Sequence, residues 1–186
     1  SKGAAAVVIP DVSATSTPQE TQQTDKHKEM KNELRGHWAE AEISEMIDEG
    51  IVMGDENGLA LERKVTRAEF ITLLVRCSEK SVEDFGGCFS DVEVDSWFAP
   101  YVETAYANGW VNGSEGMFYP QKILSREEMA QILYNIYGTK NGTSQGAGLS
   151  FADEANISPW AKNAVSGISA AGILIGDTDG NFLPKK

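Results

Sequence analysis

Apolar side chains recur with the period of an amphipathic helix in three stretches of the chain, each shortly after a tryptophan. The tryptophans are Trp38, Trp97 and Trp160. The matching positions of the three stretches are Ile43, Met46 and Ile47, then Val102, Ala105 and Tyr106, and then Val165, Ile168 and Ser169. Residues three and four apart share one face of an α-helix. The pattern therefore predicts three equivalent helices, each with one buried face.

Each predicted helix is followed by two glycines at fixed distances. The first comes twelve residues after the tryptophan and the second four residues later: Gly50 and Gly54, Gly109 and Gly113, and Gly172 and Gly176. A glycine directly after a helix accepts the left-handed backbone that ends it, and an apolar neighbour closes the cap. That neighbour is Ile51, Trp110 or Ile173. We therefore expect the three helices to end at the same place in each repeat.

A turn-rich segment follows each glycine pair, and in the first two repeats a second helical pattern follows the turn. The turns carry Leu59, Phe118 and Phe182, which we expect to enter the core. The second helices have apolar residues at i, i+3, i+4 and i+7: Phe70, Leu73, Leu74 and Cys77, and then Met129, Ile132, Leu133 and Ile136. We predict an all-α fold of three helix-loop-helix repeats over residues 28–80, 87–141 and 149–186, the third without its second helix.

The N-terminal segment, residues 1–27, differs from the repeats in composition. It is rich in Thr, Ser, Gln, Ala and Pro and has almost no large apolar residue after Val12. Such a segment buries too little apolar surface to offset its ordering entropy, which favours a flexible arm. Thr17, Pro18 and Glu20 resemble a helix start, so a short polar helix is the alternative. Because the chain begins without Met, we interpret it as a mature or excised piece.

The second helices begin with VTRAEF (residues 65–70) and LSREEM (residues 124–129). Both strings contain a pair with the spacing of a capping box: Thr66 with Glu69, and Ser125 with Glu128. Both also place an arginine in the first turn, where a cation costs about 0.3 kcal/mol or more. Either a carboxylate from a neighbouring repeat pairs with Arg67 and with Arg126, or each arginine binds an external anion together with free helix amides.

Charge and residue types exclude several classes of function. With 28 acidic and 16 basic residues, the net charge of -12 argues against nucleic acid or an anionic membrane as the main partner. The chain has only two histidines and shows no nucleophile elbow, phosphate loop or metal-ligand cluster, so we predict no enzyme and no cofactor. The string DTDGN resembles a calcium loop faintly, but an ordinary turn is favoured. A hydrolase pair of Asp91 with Asp95 is also disfavoured, because acidic pairs are common in this composition.

The repeated features together resemble S-layer homology domains, the modules that hold bacterial surface proteins to the cell wall. These features are Phe-x-Asp-Val, the tryptophan, Gly-x-x-x-Gly, Phe-x-Pro and Thr-Arg-Ala-Glu. The resemblance runs from Met30 to Lys186. It implies a pseudo-threefold domain around a central helical bundle, with grooves between repeats that bind a pyruvylated secondary cell-wall polysaccharide, and thus an extracellular location at the cell wall or S-layer.

The resemblance also implies a set of site residues. Arg67 and Arg126 would meet the acidic ketal of the sugar, since an arginine fork fits a carboxylate. The other candidate ligand-binding residues are Glu69, Glu128, Trp38, Trp97, Trp160, Gly54, Gly113 and Gly176. The rival hypothesis is a structural one, in which the repeats mediate self-assembly or docking to another surface protein and the two arginines are only ion pairs between repeats.

Some positions depart from the family pattern. The first repeat has Met30 for Phe, Asn32 for Asp and Leu61 for Pro, and the second has Ser125 and Glu127 for Thr and Ala. The third repeat ends before any second helix or arginine motif. We therefore expect the apolar face of its first helix to lack cover in this chain, and a natural continuation to hold a third arginine motif.

The aromatic and sulfur side chains have alternative interpretations. Core or inter-repeat packing is favoured over sugar stacking for Trp38, Trp97 and Trp160. Packing is favoured less strongly for Trp110, and the other repeats have the apolar residues Ile51 and Ile173 at its position. Cys77 and Cys88 could close a disulfide in an exported protein. Two buried thiols are slightly favoured.

Overall fold

A computed structural model of the chain describes residues 18–55, 58–141 and 150–186. The helices in this part of the chain are α1 (Pro18–Glu33), α2 (Glu40–Asp48), α3 (Arg67–Arg76), α4 (Ala99–Ala107), α5 (Arg126–Asn141) and α6 (Lys162–Ala170). Short 3-10 turns at Glu154–Asn156 and Pro159–Ala161 precede α6. The described residues contain isolated β-bridges but no strand, so the predicted all-α class is confirmed. The threefold arrangement stays a prediction.

The three predicted first helices are α2, α4 and α6. Each has 9 residues and begins two residues after its tryptophan. Gly50, Gly109 and Gly172 follow with φ of 72°, 71° and 70°. At the end of α4, the Gly109 N–H donates to Tyr106 O at 2.9 Å and the Trp110 N–H donates to Ala105 O at 2.9 Å. The predicted glycine caps are therefore confirmed.

The second glycine of each pair makes room for a neighbouring side chain. A Cβ at Gly54 would lie 2.8 Å from Met30 Sδ, a Cβ at Gly113 would meet the Phe89 ring, and a Cβ at Gly176 would lie 3.0 Å from the Phe151 ring. Each would also meet a carbonyl oxygen of the turn that follows. These glycines therefore have a packing reason within the fold: they let the apolar residue before each first helix lie against the turn.

Helix pairing is shifted by half a repeat relative to the sequence pattern. The chain divides into two compact units, Ser1–Leu61 and Glu62–Lys186, and the boundary falls inside the first sequence repeat. Within the first unit α1 packs on α2, and within the second α3 packs on α4 and α5 packs on α6. In the second unit, the second helix of one sequence repeat thus covers the first helix of the next.

This pairing corrects the expectation that α6 lacks cover. Val165 and Ile168 of α6 are fully buried, because α5 packs against them. Ile173, which follows the helix, is 44% exposed. The face that was expected to need a further partner is therefore covered by the second sequence repeat.

The first helix corrects the expectation of a flexible segment up to residue 27. α1 begins at Pro18, while residues 1–17 lie outside the described residues. The anchor for this polar helix is at its C-terminal end, where Met30 and the following Leu34 are buried with Ile47 of α2. The polar alternative named from Thr17, Pro18 and Glu20 is therefore the one that forms, and this anchor at its end stabilises it although the helix is polar along its length.

The deeply buried face of α3 also differs from the predicted one. Its most buried residues are Ala68, Ile71, Thr72 and Val75. Three of them join one apolar cluster with α4, because α3 packs directly on that helix. The predicted residues Phe70, Leu73 and Leu74 are only half-buried, and Cys77 is exposed. In α5, Ile132 is buried as predicted, whereas Met129, Leu133 and Ile136 are half-buried.

Candidate functional site

The starts of α3 and α5 are capped by their own side chains. The Thr66 hydroxyl accepts from the Glu69 N–H at 3.3 Å, and the Glu69 carboxylate accepts from the Thr66 N–H at 2.8 Å. At α5 the Glu128 carboxylate accepts from the Ser125 N–H at 3.0 Å and from the Ser125 hydroxyl at 3.1 Å. The predicted capping box is confirmed for α3, and α5 shows the carboxylate half of its box.

A cation six residues upstream engages each capping carboxylate. The Arg63 guanidinium lies 2.6 Å from Glu69 Oε1, and the Lys122 ammonium forms an ion pair with Glu128. Burial raises the pKa of both carboxyls, but the hydrogen bonds from these cations and from the cap residues outweigh burial and hold the pKa of each below its usual value. Glu69 and Glu128 are thus engaged within the fold.

The first amides of both helices are also engaged, and their partners are loop carbonyls. In α3 the Arg67 N–H donates to Lys122 O at 2.8 Å and the Ala68 N–H donates to Pro120 O at 3.0 Å. In α5 the corresponding amides donate to Lys186 O and Pro184 O, both at 3.1 Å. The expectation that free helix amides take part in anion binding is therefore wrong, because loop carbonyls already occupy them. Those carbonyls also offset the positive end of the helix dipole beside each arginine.

Arg67 lies over an aromatic ring with part of its guanidinium unsatisfied. Its Cζ is 5.0 Å from the centroid of the Phe118 ring. Its Nε is buried and has no hydrogen-bond partner among the described residues. Burial lowers the pKa of Arg67, and the charge of Glu128 opposes that shift. A buried guanidinium N–H without an acceptor is an unsatisfied donor, which is uncommon in a folded protein.

Arg126 has the same ring contact but a different hydrogen-bond state. Its Cζ lies 5.0 Å from the Phe182 ring centroid. Its Nε donates to Phe182 O at 2.8 Å and its Nη2 donates to Ile175 O at 2.9 Å. Among the described residues neither Arg126 nor Arg67 forms an ion pair, although the charge of Glu128 acts on Arg67.

The loop under each arginine is held by an aspartate that sequence reasoning assigned no role in the site. Asp91 accepts from the Phe118 and Tyr119 amides, both at 2.7 Å, and Asp153 accepts from the amides of Phe182 and Leu183 at 2.7 and 2.8 Å. Tyr119 and Leu183 have φ of 60° and 58°, a left-handed backbone that costs free energy in these residue types. The carboxylates stabilise this turn, which presents the aromatic ring to the arginine. Their recurrence two residues after Phe89 and Phe151 was the available signal.

In the unit Ser1–Leu61 a glutamate takes over this role. Asn32 stands at the aspartate position, but Glu33 accepts from the Leu59 N–H at 2.9 Å. The next residue, Ala60, has a φ of 49° and so repeats the left-handed turn. The departure at Asn32 is therefore compensated by its neighbour in the chain.

The three repeated tryptophans are exposed, which corrects the favoured interpretation of core packing. Trp38 is 90% exposed, Trp97 58% and Trp160 54%, whereas Trp110 is buried at 2%. The exposed tryptophans precede the first helical residue by two positions, and so lie outside the stripe that α2, α4 and α6 bury. Their indole faces are available to a ligand. Trp110 follows a helix-ending glycine, and its carbonyl accepts from the Asn135 side chain at 2.9 Å.

The remaining candidates give no metal or disulfide chemistry. Asp177, in the calcium-like string, accepts from the amides of Asp179 and Asn181, as in an ordinary turn, and no group of three or more metal-ligating side chains occurs in the described residues. Cys77 and Cys88 are thiols, the first exposed and the second half-buried, so a disulfide is absent and the expected burial is wrong for Cys77. Burial, together with the Glu103 carboxylate, raises the pKa of Cys88 to about 12.

None of the helices in the described part of the chain combines the length and the apolar character needed to cross a membrane.

The segments that contain these helix starts match a known protein family. The profile of the S-layer homology domain matches residues 34–71, 89–130 and 150–186. The chain is 32% identical over 157 residues to "Exoglucanase XynX" of Acetivibrio thermocellus, a match that covers 83% of this chain and 14% of that protein. It is 31% identical over 147 residues to "Surface-layer 125 kDa protein" of Lysinibacillus sphaericus, covering 78% of this chain and 12% of the relative.

The chain thus spans less than one fifth of the length of these curated relatives. A more distant relative, "S-layer protein" of Bacillus thuringiensis subsp. finitimus, is 25% identical over 81% of this chain and 18% of its own length. In the relatives with enzyme names, the region that matches is the S-layer homology region. S-layer homology domains are cell-wall anchoring modules found in S-layer proteins and in multidomain enzymes, which indicates a location at the cell surface. Because the profile matches more than half of its residues in three segments, this chain belongs to the S-layer homology domain family.

Proposed function

We propose that this chain is a non-catalytic module that anchors a surface protein by binding a pyruvylated secondary cell-wall polysaccharide. The proposed contact is between the acidic ketal of the sugar and an arginine at the start of a second helix, at Arg67 or Arg126. Membership of the family supports anchoring to the wall polymer. The acidic ligand and the location within the cell wall or S-layer are part of the proposal.

The observation that carries the proposal is the buried, unsatisfied Nε of Arg67. A buried N–H without an acceptor costs free energy, which a carboxylate would recover by accepting from it. The guanidinium is already oriented by its contact with the Phe118 ring, so little side-chain freedom is lost when a ligand binds. A carboxylate attached to a sugar matches this donor in charge and geometry.

Exposed aromatic side chains give the sugar ring a second type of contact. Trp97 belongs to the same compact unit as Arg67 and is 58% exposed. Its ring meets Phe98 edge to face at 5.3 Å between centroids, which fixes one edge of the indole. An indole held in this way presents an apolar face suited to the C–H bonds of a pyranose. We include Trp97 among the ligand-binding residues on this ground.

The experiment is a pull-down of the purified chain with cell walls before and after chemical removal of the secondary polymer. We expect binding to intact walls and loss of binding to stripped walls. Arg67→Ala should weaken binding by about tenfold or more, because one charge-assisted contact is removed. Lys64→Gln, which removes an exposed cation near the start of the same helix, is the matched control and should leave binding unchanged.

A second candidate function is self-assembly or docking to another surface protein. The observation that favours it is the set of exposed apolar side chains in the third repeat: Trp160, Ile173 and Ile175. In that case binding to walls would survive removal of the polymer, or the chain would associate with itself at the concentrations of the assay. Survival of binding on stripped walls would refute the polysaccharide proposal.

A further inference from the structure

The starts of α3 and α5 differ at one inward-facing residue. Position 68 is an alanine and the corresponding position 127, 59 residues on, is a glutamate. Both side chains are buried, Ala68 with 1% exposure and Glu127 with 4%. A buried carboxylate beside an arginine that is expected to bind an acid needs an explanation, because the two carboxylates would repel each other.

Glu127 is the centre of a polar cluster that joins α5 to the third repeat. Its carboxylate accepts from the Ser158 N–H and from the Ser158 hydroxyl, each at 3.0 Å. The Lys185 ammonium donates to the same carboxylate and, at 2.6 Å, to the Ser158 hydroxyl. We call these three residues, Glu127, Ser158 and Lys185, the clasp.

The second repeat lacks the partners that a glutamate at position 68 would need. Counted from Trp97 and Trp160, the residue corresponding to Ser158 is Asp95; counted from Pro120 and Pro184, the residue corresponding to Lys185 is Gln121. Neither replacement supplies the hydroxyl or the cation of the clasp. The three differences therefore belong together, and the start of α3 is built without a clasp.

The hydrogen bonds of the two arginines also differ between the two helix starts. The Nε of Arg67 has no acceptor among the described residues, while Arg126 directs its Nε and Nη2 to backbone carbonyls. An acid that binds at Arg126 would have to displace a carbonyl and approach Glu127. At Arg67 an acid would meet an Nε that has no acceptor among the described residues, and position 68 carries no carboxylate to repel it.

We propose that Glu127 determines the specificity of the two helix starts: the start of α5 is an internal clasp that excludes an acidic ligand, and the start of α3 alone accepts one. This inference rests on the proposed function, since it assigns the acidic sugar of that proposal to one of two similar positions. It makes this chain monovalent for the acidic ketal within the described residues, although it carries two arginine motifs.

The test is calorimetric titration with a methyl hexoside that carries a cyclic pyruvate ketal, and with the methyl ester of that ketal as a neutral probe. We expect about one acidic molecule bound per chain and at least about tenfold weaker binding of the ester, because the charged contact is lost. Arg67→Ala should weaken binding of the acid by about tenfold or more. Arg126→Ala should leave the stoichiometry and the dissociation constant within about twofold, since the acid does not occupy that position.

A pair of substitutions tests Glu127 directly. Ala68→Glu should weaken binding of the acid by about tenfold relative to Ala68→Gln, which has nearly the same size and no charge. If these buried substitutions prevent folding, the stoichiometries of the wild-type chain and of Arg126→Ala still test whether the acid binds only at the start of α3. Two equal sites, or loss of binding with Arg126→Ala, would overturn the assignment while the proposed function stands. Absence of any binding of the acid and of any binding to walls would overturn both.

Discussion

The starts of α3 and α5 share a capping glutamate and an arginine over the same type of ring, yet the two arginines differ in their hydrogen bonds. Both caps use a glutamate that accepts from the cap amide and pairs with an upstream cation. Arg126 is a structural residue, because two backbone carbonyls accept from it. Arg67 keeps a buried donor without a partner.

The difference shows that a repeated motif has two separable parts. The cap and the ring contact come from residues within the motif and the loop against which it packs, and these recur in both repeats. The hydrogen-bond state of the arginine differs between the two copies: Phe182 O and Ile175 O accept from Arg126, whereas the Nε of Arg67 has no acceptor among the described residues. One copy therefore ties its arginine to the fold, while the other keeps a buried donor without a partner, to which we assign the proposed ligand.

The largest expected effect is a difference in the free energy of unfolding between Arg126→Ala and Arg67→Ala. Arg126→Ala removes two donors from backbone carbonyls and uncovers the Phe182 ring, so the free energy of unfolding should fall by about 2 kcal/mol. Arg67→Ala removes a buried cation with an unsatisfied N–H, and its effect should stay below about 1 kcal/mol. Chemical denaturation of the two variants measures both.

Methionine at each position serves as the control for packing, because it keeps an unbranched side chain over the ring and removes the donors. Arg126→Met should still lose most of the stability, whereas Arg67→Met should match the wild-type chain. Equal losses for both alanine variants would show that the two arginines have the same structural role, and the comparison would fail.

A smaller effect is the loss of stability at low pH through the carboxylate of Glu127. Burial raises the pKa of Glu127, but hydrogen bonds from Lys185 and Ser158 outweigh burial and hold that pKa below its usual value. A carboxylate with a lowered pKa in the folded state contributes its stability above its usual pKa of about 4.3 and loses that contribution as the pH falls through the lowered value. The α5 and α6 pair should therefore lose about 1 kcal/mol of stability in this range.

Glu127→Gln isolates this contribution, since glutamine can still accept from the Ser158 N–H but does not titrate. We expect the variant to be less stable than the wild-type chain at neutral pH and to approach it below about pH 4. Hydrogen exchange of the α5 and α6 amides, compared with those of α3 and α4, measures the difference. A gap between the two chains that is independent of pH would show that the charge of Glu127 does not stabilise the clasp.

The sequence was sufficient to predict the parts of this structure that depend on local chemistry. The ends of α2, α4 and α6 need only a glycine and an apolar neighbour, and the cap of α3 needs only Thr66 and Glu69, so spacing alone located them. The resemblance to the family, drawn from the same spacing, is confirmed as membership.

The parts that could not be predicted depend on residues distant in the chain. The exposure of Trp38, Trp97 and Trp160 follows from which stripe of the next helix is buried, and a large aromatic side chain is apolar enough to suggest the core. The burial of Glu127 was not foreseen, because its partners Ser158 and Lys185 lie 31 and 58 residues away. A flexible arm was favoured over the short polar helix α1 because the buried anchor of this helix lies at one end only.

Substitutions of the two cap residues should have small and equal effects on the free energy of unfolding, which would support the conclusion that both helix starts use the same kind of cap. Thr66→Ala and Ser125→Ala each remove a side-chain oxygen at a helix start and should each lower the free energy of unfolding by about 1 kcal/mol. Exchanging the residues, Thr66→Ser and Ser125→Thr, should change it by only about 0.3 kcal/mol. If one alanine variant were several times more destabilising than the other, the two starts would differ in their caps as well as in their arginines.

The smallest expected effect is that of salt on binding of the acidic sugar probe. A contact at a buried guanidinium is screened weakly, and the net charge of -12 repels an anion over a distance comparable with the Debye length of about 10 Å at 0.1 M salt. Salt therefore weakens both the long-range repulsion and the attraction to exposed lysines, and the two changes oppose each other. We expect the dissociation constant to change by less than about twofold between roughly 0.05 and 0.3 M salt, with the same result for Lys64→Gln. A steep loss of affinity with salt, reduced in the Lys64→Gln chain, would show that exposed cations rather than Arg67 attract the ligand, and the distinction between the two helix starts would then have no bearing on binding.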